Sequence, residues 1–409
     1  MTAFLLRRSL VGAASITITA AMLSACTDAI SAPAGPSASP RASLDATQFF
    51  EASASVAWNA VARGLTNKYP TGQQVGARLL AYVSLAQYEA VIEAEEGRDN
   101  GDHPSPAAAV AGASAVVLAA QYPAEAAALN ALVSAQSSSP TWSGERKKDF
   151  AAGEAIGRAV GQRILTSEAT DGFTPAWGGA IPVCAGCWFS ATTPVFPRLA
   201  EMRPFFLASA SQFRPPPPPT FGSPAFLVAR AEVRQISDTR TPEQTAIAKF
   251  WALPGGYAVA QSYNNQIATD LITEFRLDER RAAHALALAN MAAMDAFIAC
   301  HDAKYTYWLL RPSMADPGIS LAIGLPNHPS YPSNHACLTG ASMAVLGALF
   351  PSRANDLWAL AEQAGVSRIY GGIHYRFDVE AGLAVARQTA AWALAHDVNG
   401  HDPFAIPGT

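Results

Sequence analysis

Residues 74–95 read QVGARLLAYVSLAQYEAVIEAE, and the period of this stretch decides the fold class. Val75, Leu79, Tyr82, Val83, Ala86 and Ala90 return at three- and four-residue intervals, the spacing of one apolar helix face. Gly97 follows and predicts the helix end. The pattern continues outward. Ser105–Gln121 predicts a helix with Ser105 as N-cap and Pro106 in its first turn, and Pro123–Gln136 and Ser143–Thr166 predict two more. Thr241 is expected to cap another over TPEQTAIAKFWAL, with Pro242 and Glu243 in its first turn. Tyr257–Phe275 and Asp278–Leu310 complete the set. The richest apolar run, Ala282–Cys300, is interrupted by His284, Asn290 and Asp295 and is not read as a membrane span. Neither strand-like alternation of any length nor an internal repeat is found. The expected fold is all-α, a multi-helix bundle with long Pro-rich connections.

Composition narrows the function. Half of the 409 residues are apolar and 15% are charged, against about 25% in ordinary soluble chains, which excludes a disordered protein. The net charge is −4 and no Lys/Arg cluster stands out, so neither a nucleic-acid surface nor a polybasic membrane patch is expected.

Residues 1–25 read as an export signal: Arg7 and Arg8, then an uncharged run from Ser9 to Met22. The run ends in Leu23-Ser24-Ala25-Cys26, similar to a bacterial lipobox, which makes Cys26 the candidate lipidation site. An ordinary secretory signal cut nearby is the alternative, and Arg7-Arg8 alone is weak support for a twin-arginine signal. Cleavage before Cys26 removes two Arg and no acid, taking the charge from −4 to −6. The expectation is an exported bacterial lipoprotein, facing the periplasm or held at the cell surface, with membrane contact only through the lipid. Residues 26–45, rich in Ser, Ala and Pro, form a tether. An N-terminal helical region (46–240) and a C-terminal catalytic region (241–409) follow. Within 169–240 lie Cys184-Ala185-Gly186-Cys187, several aromatic residues and Pro215–Pro219, a connection that reads as either a lid or a wrapping segment.

Three clusters carry candidate chemistry. Lys304 and Arg311 stand seven apart before Pro312; on one helix they share a face with bases roughly 10 Å apart, within reach of a common anion. Pro312 is expected to end that helix. Next, Ser333, within Pro332-Ser333-Asn334-His335, is a natural N-cap for the apolar run to Phe350, and a helix N-terminus attracts anions. Last, Ser367-Arg368 precedes His374 and Asp378, four apart, so on a helix the carboxylate can fix the imidazole tautomer. Taken singly, each has a plain structural explanation.

Together, Lys-x6-Arg-Pro, Pro-Ser-x-His and Ser-Arg-x5-His-x3-Asp span 304–378, and in this the chain resembles the type 2 phosphatidic acid phosphatases and vanadium-dependent haloperoxidases. The flanking SRIYGGIHYRFD and the segment from Met202 are most similar to the soluble bacterial haloperoxidase-like branch. The resemblance implies that Lys304, Arg311, Arg368, the Ser333 hydroxyl and the Asn334 amide hold a phosphate or vanadate oxyanion. His374, oriented by Asp378, would be the phosphoryl nucleophile or the axial vanadium ligand, and His335 the acid–base. The family usually has Gly at the position of Asn334; Asn tolerates the left-handed backbone such a Gly could need, but it brings a side chain into the pocket.

The resemblance implies a haloperoxidase-like enzyme, with vanadate as cofactor and peroxide and halide as substrates. The alternative is an acid-phosphatase-type phosphomonoester hydrolase without a cofactor, and a non-catalytic binding lipoprotein is the third class. With the site assembled, Cys300 and Cys337 are expected to pair, and Cys184 and Cys187 are candidates for a local bridge. His328 is read chiefly as a loop histidine, with a place at the pocket entrance as the other reading. His103, His284, His301, His396 and His401 carry no usable pattern. Oligomeric state is not legible.

Overall fold

The computed structural model describes residues 54–99, 103–137 and 149–397. The expected export signal, Cys26 and the tether lie outside these residues. Every described residue belongs to one compact unit.

Among the described residues there are thirteen α-helices and no strand beyond two isolated bridges. In chain order they are α1 (Ala54–Lys68), α2 (Gln73–Asp99), α3 (Pro106–Gln121), α4 (Ala126–Ser137), α5 (Phe150–Glu168), α6 (Pro224–Thr239), α7 (Pro242–Ala252), α8 (Ala260–Glu274), α9 (Glu279–Tyr307), α10 (Pro312–Ala315), α11 (Asn334–Leu349), α12 (Ala354–Tyr370) and α13 (Arg376–Ala395). The fold is all-α.

The caps explain several boundaries. Ser105 accepts from the Ala108 amide, Thr241 and Gln244 form a reciprocal capping box, and Asp278 accepts from the Arg281 amide. Other boundaries depart from the sequence reading. α2 runs through Gly97 to Asp99, because one helical glycine weakens a helix without having to stop it. The segment from Pro123 opens as a 3-10 turn, Pro123–Glu125, before α4 begins. α9 stops at Tyr307, where Trp308 takes a left-handed conformation (φ 50°, ψ 31°) and its amide closes onto the Lys304 carbonyl. Arg311 is therefore off that helix, extended at φ −78° and ψ 157°, and Pro312 begins the short α10 instead of ending α9.

α9 is long and apolar enough to cross a membrane, but it is the central core helix, packed against α2, α8, α11 and α13. Its polar interruptions have partners. Asn290 bonds to Ser84 and Gln261, and buried Asp295 accepts from the amides of Phe205, Phe206 and Leu207. Burial pushes the Asp295 carboxyl up to about 6 against the pull of those three amides.

Residues 169–223 wrap the bundle. The Val195 amide bonds to the Asn327 carbonyl and the Trp188 amide to that of Trp308, while the Tyr307 and Tyr331 hydroxyls donate to the carbonyls of Pro215 and Pro216. Cys184 is paired with Cys187 within this wrap.

α3 and α5 approach through glycines. A Cβ at Gly157 would overlap the Ala109 carbonyl, and one at Gly112 would lie 2.6 Å from the Glu154 carbonyl oxygen.

Candidate active site

The three clusters converge where the end of α9, the start of α11, the end of α12 and the start of α13 meet. Cys300 on α9 is paired with Cys337 on α11, joining two of these elements beside the site. Gly372, at φ 79°, turns the chain out of α12 towards His374.

His374 precedes α13 instead of lying on it, and Tyr375 occupies the N-cap position. The expected pairing with Asp378 is present by a different route. Asp378, in the first turn of α13, reaches back: its Oδ2 accepts from His374 Nδ1 at 2.8 Å, the Ser330 hydroxyl at 2.6 Å and the Tyr375 amide at 3.1 Å. Burial raises the Asp378 carboxyl, while the Ser330 hydroxyl, Lys304, the Tyr375 amide and Arg311 pull it down. His374 Nδ1 thus carries the proton, and its Nε2 accepts from Arg311 Nη1 at 2.9 Å. Burial first, then neighbouring Arg311 and Lys304, holds the His374 pKa well below the ordinary imidazole value.

Lys304 is fully buried, and its ammonium donates to three backbone carbonyls: Pro329 at 3.1 Å, Ser330 at 2.8 Å and Pro332. Arg311 is also fully buried. It donates from Nε to the His328 carbonyl, from Nη1 to the Ile373 carbonyl and from Nη2 to His328 Nδ1 at 3.0 Å. Arg368 donates to the Ala248 carbonyl and to the Ser367 hydroxyl. Burial lowers Arg311 to about 10 and Arg368 to about 9, so both stay charged at neutral pH.

Among the described residues, no carboxylate forms a salt bridge with Lys304, Arg311 or Arg368; Asp378 is the only carboxylate that acts on this group. Two buried guanidiniums against one buried carboxylate, beside Lys304 whose pKa burial and then Arg311 pull well below the ordinary lysine value, leave positive charge uncompensated, and a low-dielectric interior makes such an arrangement costly without an anion.

Ser333 occupies the N-cap of α11, but its hydroxyl makes no capping bond and is buried without a partner. That is a departure from the expected side-chain cap, and it leaves one donor free beside the positive end of the helix. Asn334 is the first residue of α11 and is not among the residues with positive φ, so no left-handed backbone is needed there. Its side chain does enter the cavity. The carboxamide oxygen is buried and unpaired, and the nitrogen lies 3.5 Å from His328 Nε2.

A cavity of about 360 Å³ opens over this arrangement, and His328, Asn334, His335, Arg368 and His374 form its polar floor. Lys304, Arg311, Ser333 and Asp378 are fully buried beside those residues, with Arg311 and Asp378 in contact with His374 and Ser333 next to Asn334. His335 bonds through Nε2 to the Trp251 carbonyl at 2.9 Å, which leaves Nδ1 to take up or deliver a proton. Burial, then Arg368, depresses its pKa well below the ordinary value.

His328 lies in the loop between α10 and α11, as its chief reading has it, and also at the cavity, the other reading. It is 7% exposed, lines the cavity and holds Arg311. His301, for which the sequence showed no pattern, stands behind it with ring centroids 6.1 Å apart. It donates to the Phe297 carbonyl and meets Gln74, and burial lowers it to about 3. Ser330, the support of Asp378, is a further residue that sequence reasoning does not find. A serine between Pro329 and Pro332 carries no local signal that would mark it.

The family model described as the PAP2 superfamily matches residues 284–399. The chain is 31% identical over 183 residues to a non-specific acid phosphatase of Providencia stuartii, covering 43% of this chain and 71% of that protein. Its fold is similar to that of a bacterial vanadium-dependent iodoperoxidase (TM-score 0.70, 22% identity, 85% of this chain and 97% of the other). It is also similar to a holo-type bacterial vanadium-dependent chloroperoxidase (TM-score 0.64, 15% identity, 79% and 92%).

Proposed function

The chain belongs to the PAP2 superfamily, an enzyme superfamily with phosphatase and haloperoxidase members, and from that premise we propose that it hydrolyses phosphomonoesters through a phosphohistidine at His374. The observation that carries this reading is the dyad. His374 lines the cavity with Nδ1 tied to Asp378, next to cations that no second carboxylate among the described residues neutralises.

The residues divide the work. Arg368 meets the phosphoryl oxygens from the cavity floor. Arg311 passes its Nη1 hydrogen bond from His374 Nε2 to the oxyanion, which frees that nitrogen. The Ser333 hydroxyl and the first amides of α11 supply neutral donors. Lys304 contributes charge from its buried position. In the first step the Nε2–phosphorus bond forms, the ester phosphorus–oxygen bond breaks, and the leaving oxygen takes a proton from His335. In the second, water gives a proton to His335 and attacks phosphorus, and the nitrogen–phosphorus bond breaks. Rapid alkaline quench during turnover, followed by peptide mass spectrometry, tests this. A phosphoryl adduct on the peptide holding His374 supports it, and steady hydrolysis with no adduct there sinks it.

A second reading, haloperoxidase activity, is favoured by the likeness of fold over nearly the whole length of a vanadium-dependent iodoperoxidase. The unpaired Ser333 hydroxyl and the uncompensated cations fit vanadate as they fit phosphate. Arg311, Arg368, Ser333 and His374 Nε2 would hold vanadate, which when bound supplies peroxide activation for halide oxidation. This reading stands second because all three Lys304 donors already serve backbone carbonyls, leaving none for a peroxide oxygen. A bromide-oxidation assay with peroxide, with and without added vanadate, decides between them. Two disulfides agree with the proposed export to an oxidising compartment.

A further inference from the structure

The floor of the cavity is polar, but its walls are not. Leu253, Phe297, Ile323, Pro326, Leu338 and Ile373 form the sides above the histidines and Arg368. The two glutamines on the lining are already engaged. Gln73 bonds to the Ala258 carbonyl and the Ala260 amide, and Gln74 meets His301. Among the described residues no carboxylate lines the cavity, and the ionisable groups on its lining are three histidines and Arg368. A ligand there meets fixed positive charge at one end and hydrocarbon along its body. The volume of about 360 Å³ lies near the small end of the ~300–1,000 Å³ usual for ligand pockets.

We infer that the cavity selects a single tetrahedral oxyanion bearing a small, uncharged, apolar body, as in an aryl or short branched alkyl phosphomonoester. The inference rests on the phosphomonoester reading above and specifies its leaving group. A body carrying an ammonium would lose hydration without finding a carboxylate, and one carrying further anions would find no cation along the walls.

The test is calorimetric binding to the full chain of inorganic phosphate, methylphosphonate, phenylphosphonate and 2-aminoethylphosphonate, whose P–C bonds the enzyme does not cleave. Burial of one ring predicts phenylphosphonate binding about 10–50-fold tighter than methylphosphonate, with 2-aminoethylphosphonate no tighter than methylphosphonate. In Leu253→Ser and Ile323→Ser, the phenyl-to-methyl ratio is expected to fall towards one; each ratio is taken within one variant, which cancels any change at the floor. Leu253 is 58% exposed, so that substitution does not threaten folding. Equal binding of phenyl- and methylphosphonate, with inorganic phosphate still bound, overturns the inference and leaves the phosphomonoester reading standing. Absence of inorganic phosphate binding overturns both.

Discussion

The α3–α5 pair and the helices around the cavity solve opposite packing problems. α5 presents Gly153, Gly157 and Gly161 to α3, and the two backbones touch because side chains are missing. Around the cavity, the ends of α9, α11, α12 and α13 enclose buried Lys304, Arg311, Arg368 and Asp378, whose hydrogen bonds run mainly to backbone carbonyls and histidines. The first region has no room for volume and no chemistry to lose. The second has a cluster of buried ionisable groups and a cavity above it. Substitutions should therefore separate stability from activity according to region.

The largest expected effect is in the second region. His374→Ala should reduce phosphomonoester turnover by at least about 10³-fold, with the thermal midpoint little changed; retained turnover breaks the assignment. Asp378→Asn should lower kcat by about 10²-fold or more, because an amide no longer dictates which ring nitrogen of His374 holds the proton. Phosphate affinity should fall far less than kcat in that variant, and an equal loss of both would make Asp378 a structural residue only.

The first region should respond in stability and not in rate. Gly157→Val forces a side chain into the Ala109 carbonyl and should destabilise the fold by about 1–3 kcal/mol in denaturant titration, while kcat at low temperature stays near that of the parent. A smaller effect is expected at Ser333. Ser333→Ala removes one donor to the oxyanion and should weaken phosphate binding about tenfold, without loss of stability, since the hydroxyl has no partner in the protein. A destabilised Ser333→Ala would mean that the hydroxyl serves the fold.

The subtlest test is pH. The His374 pKa is lowered, so the nucleophile stays neutral below the ordinary imidazole value of about 6.5. The His335 pKa is also lowered, so the proton donor fills only as pH falls. Together they place the kcat/KM optimum on the acid side of about 6.5. An optimum at or above neutrality would contradict the burial of these two histidines.

Much of both regions is legible in the sequence, and the limits are physical. The apolar period of α2, the caps at Ser105 and Thr241, and the spacing of the three clusters are readable because each signal lies within a few turns of chain. The all-α class follows from the first two, and the third carries the resemblance that the family comparison bears out. The residues proposed to carry the chemistry, His374, Asp378, His335 and the cations, are also singled out by the sequence alone. How they meet is a property of the fold. Trp308 turns the chain out of α9, so Arg311 reaches His374 from an extended segment and not from a shared helix face. His328 and Ser330 became supports of Arg311 and Asp378 because residues 17 and 48 positions away were folded against them. The cations divided into one on the cavity floor and two buried beside it for the same reason. Periodicity records what a residue does for its own helix; the partner of a buried charge is chosen by whichever distant segment packing brings within about 3 Å.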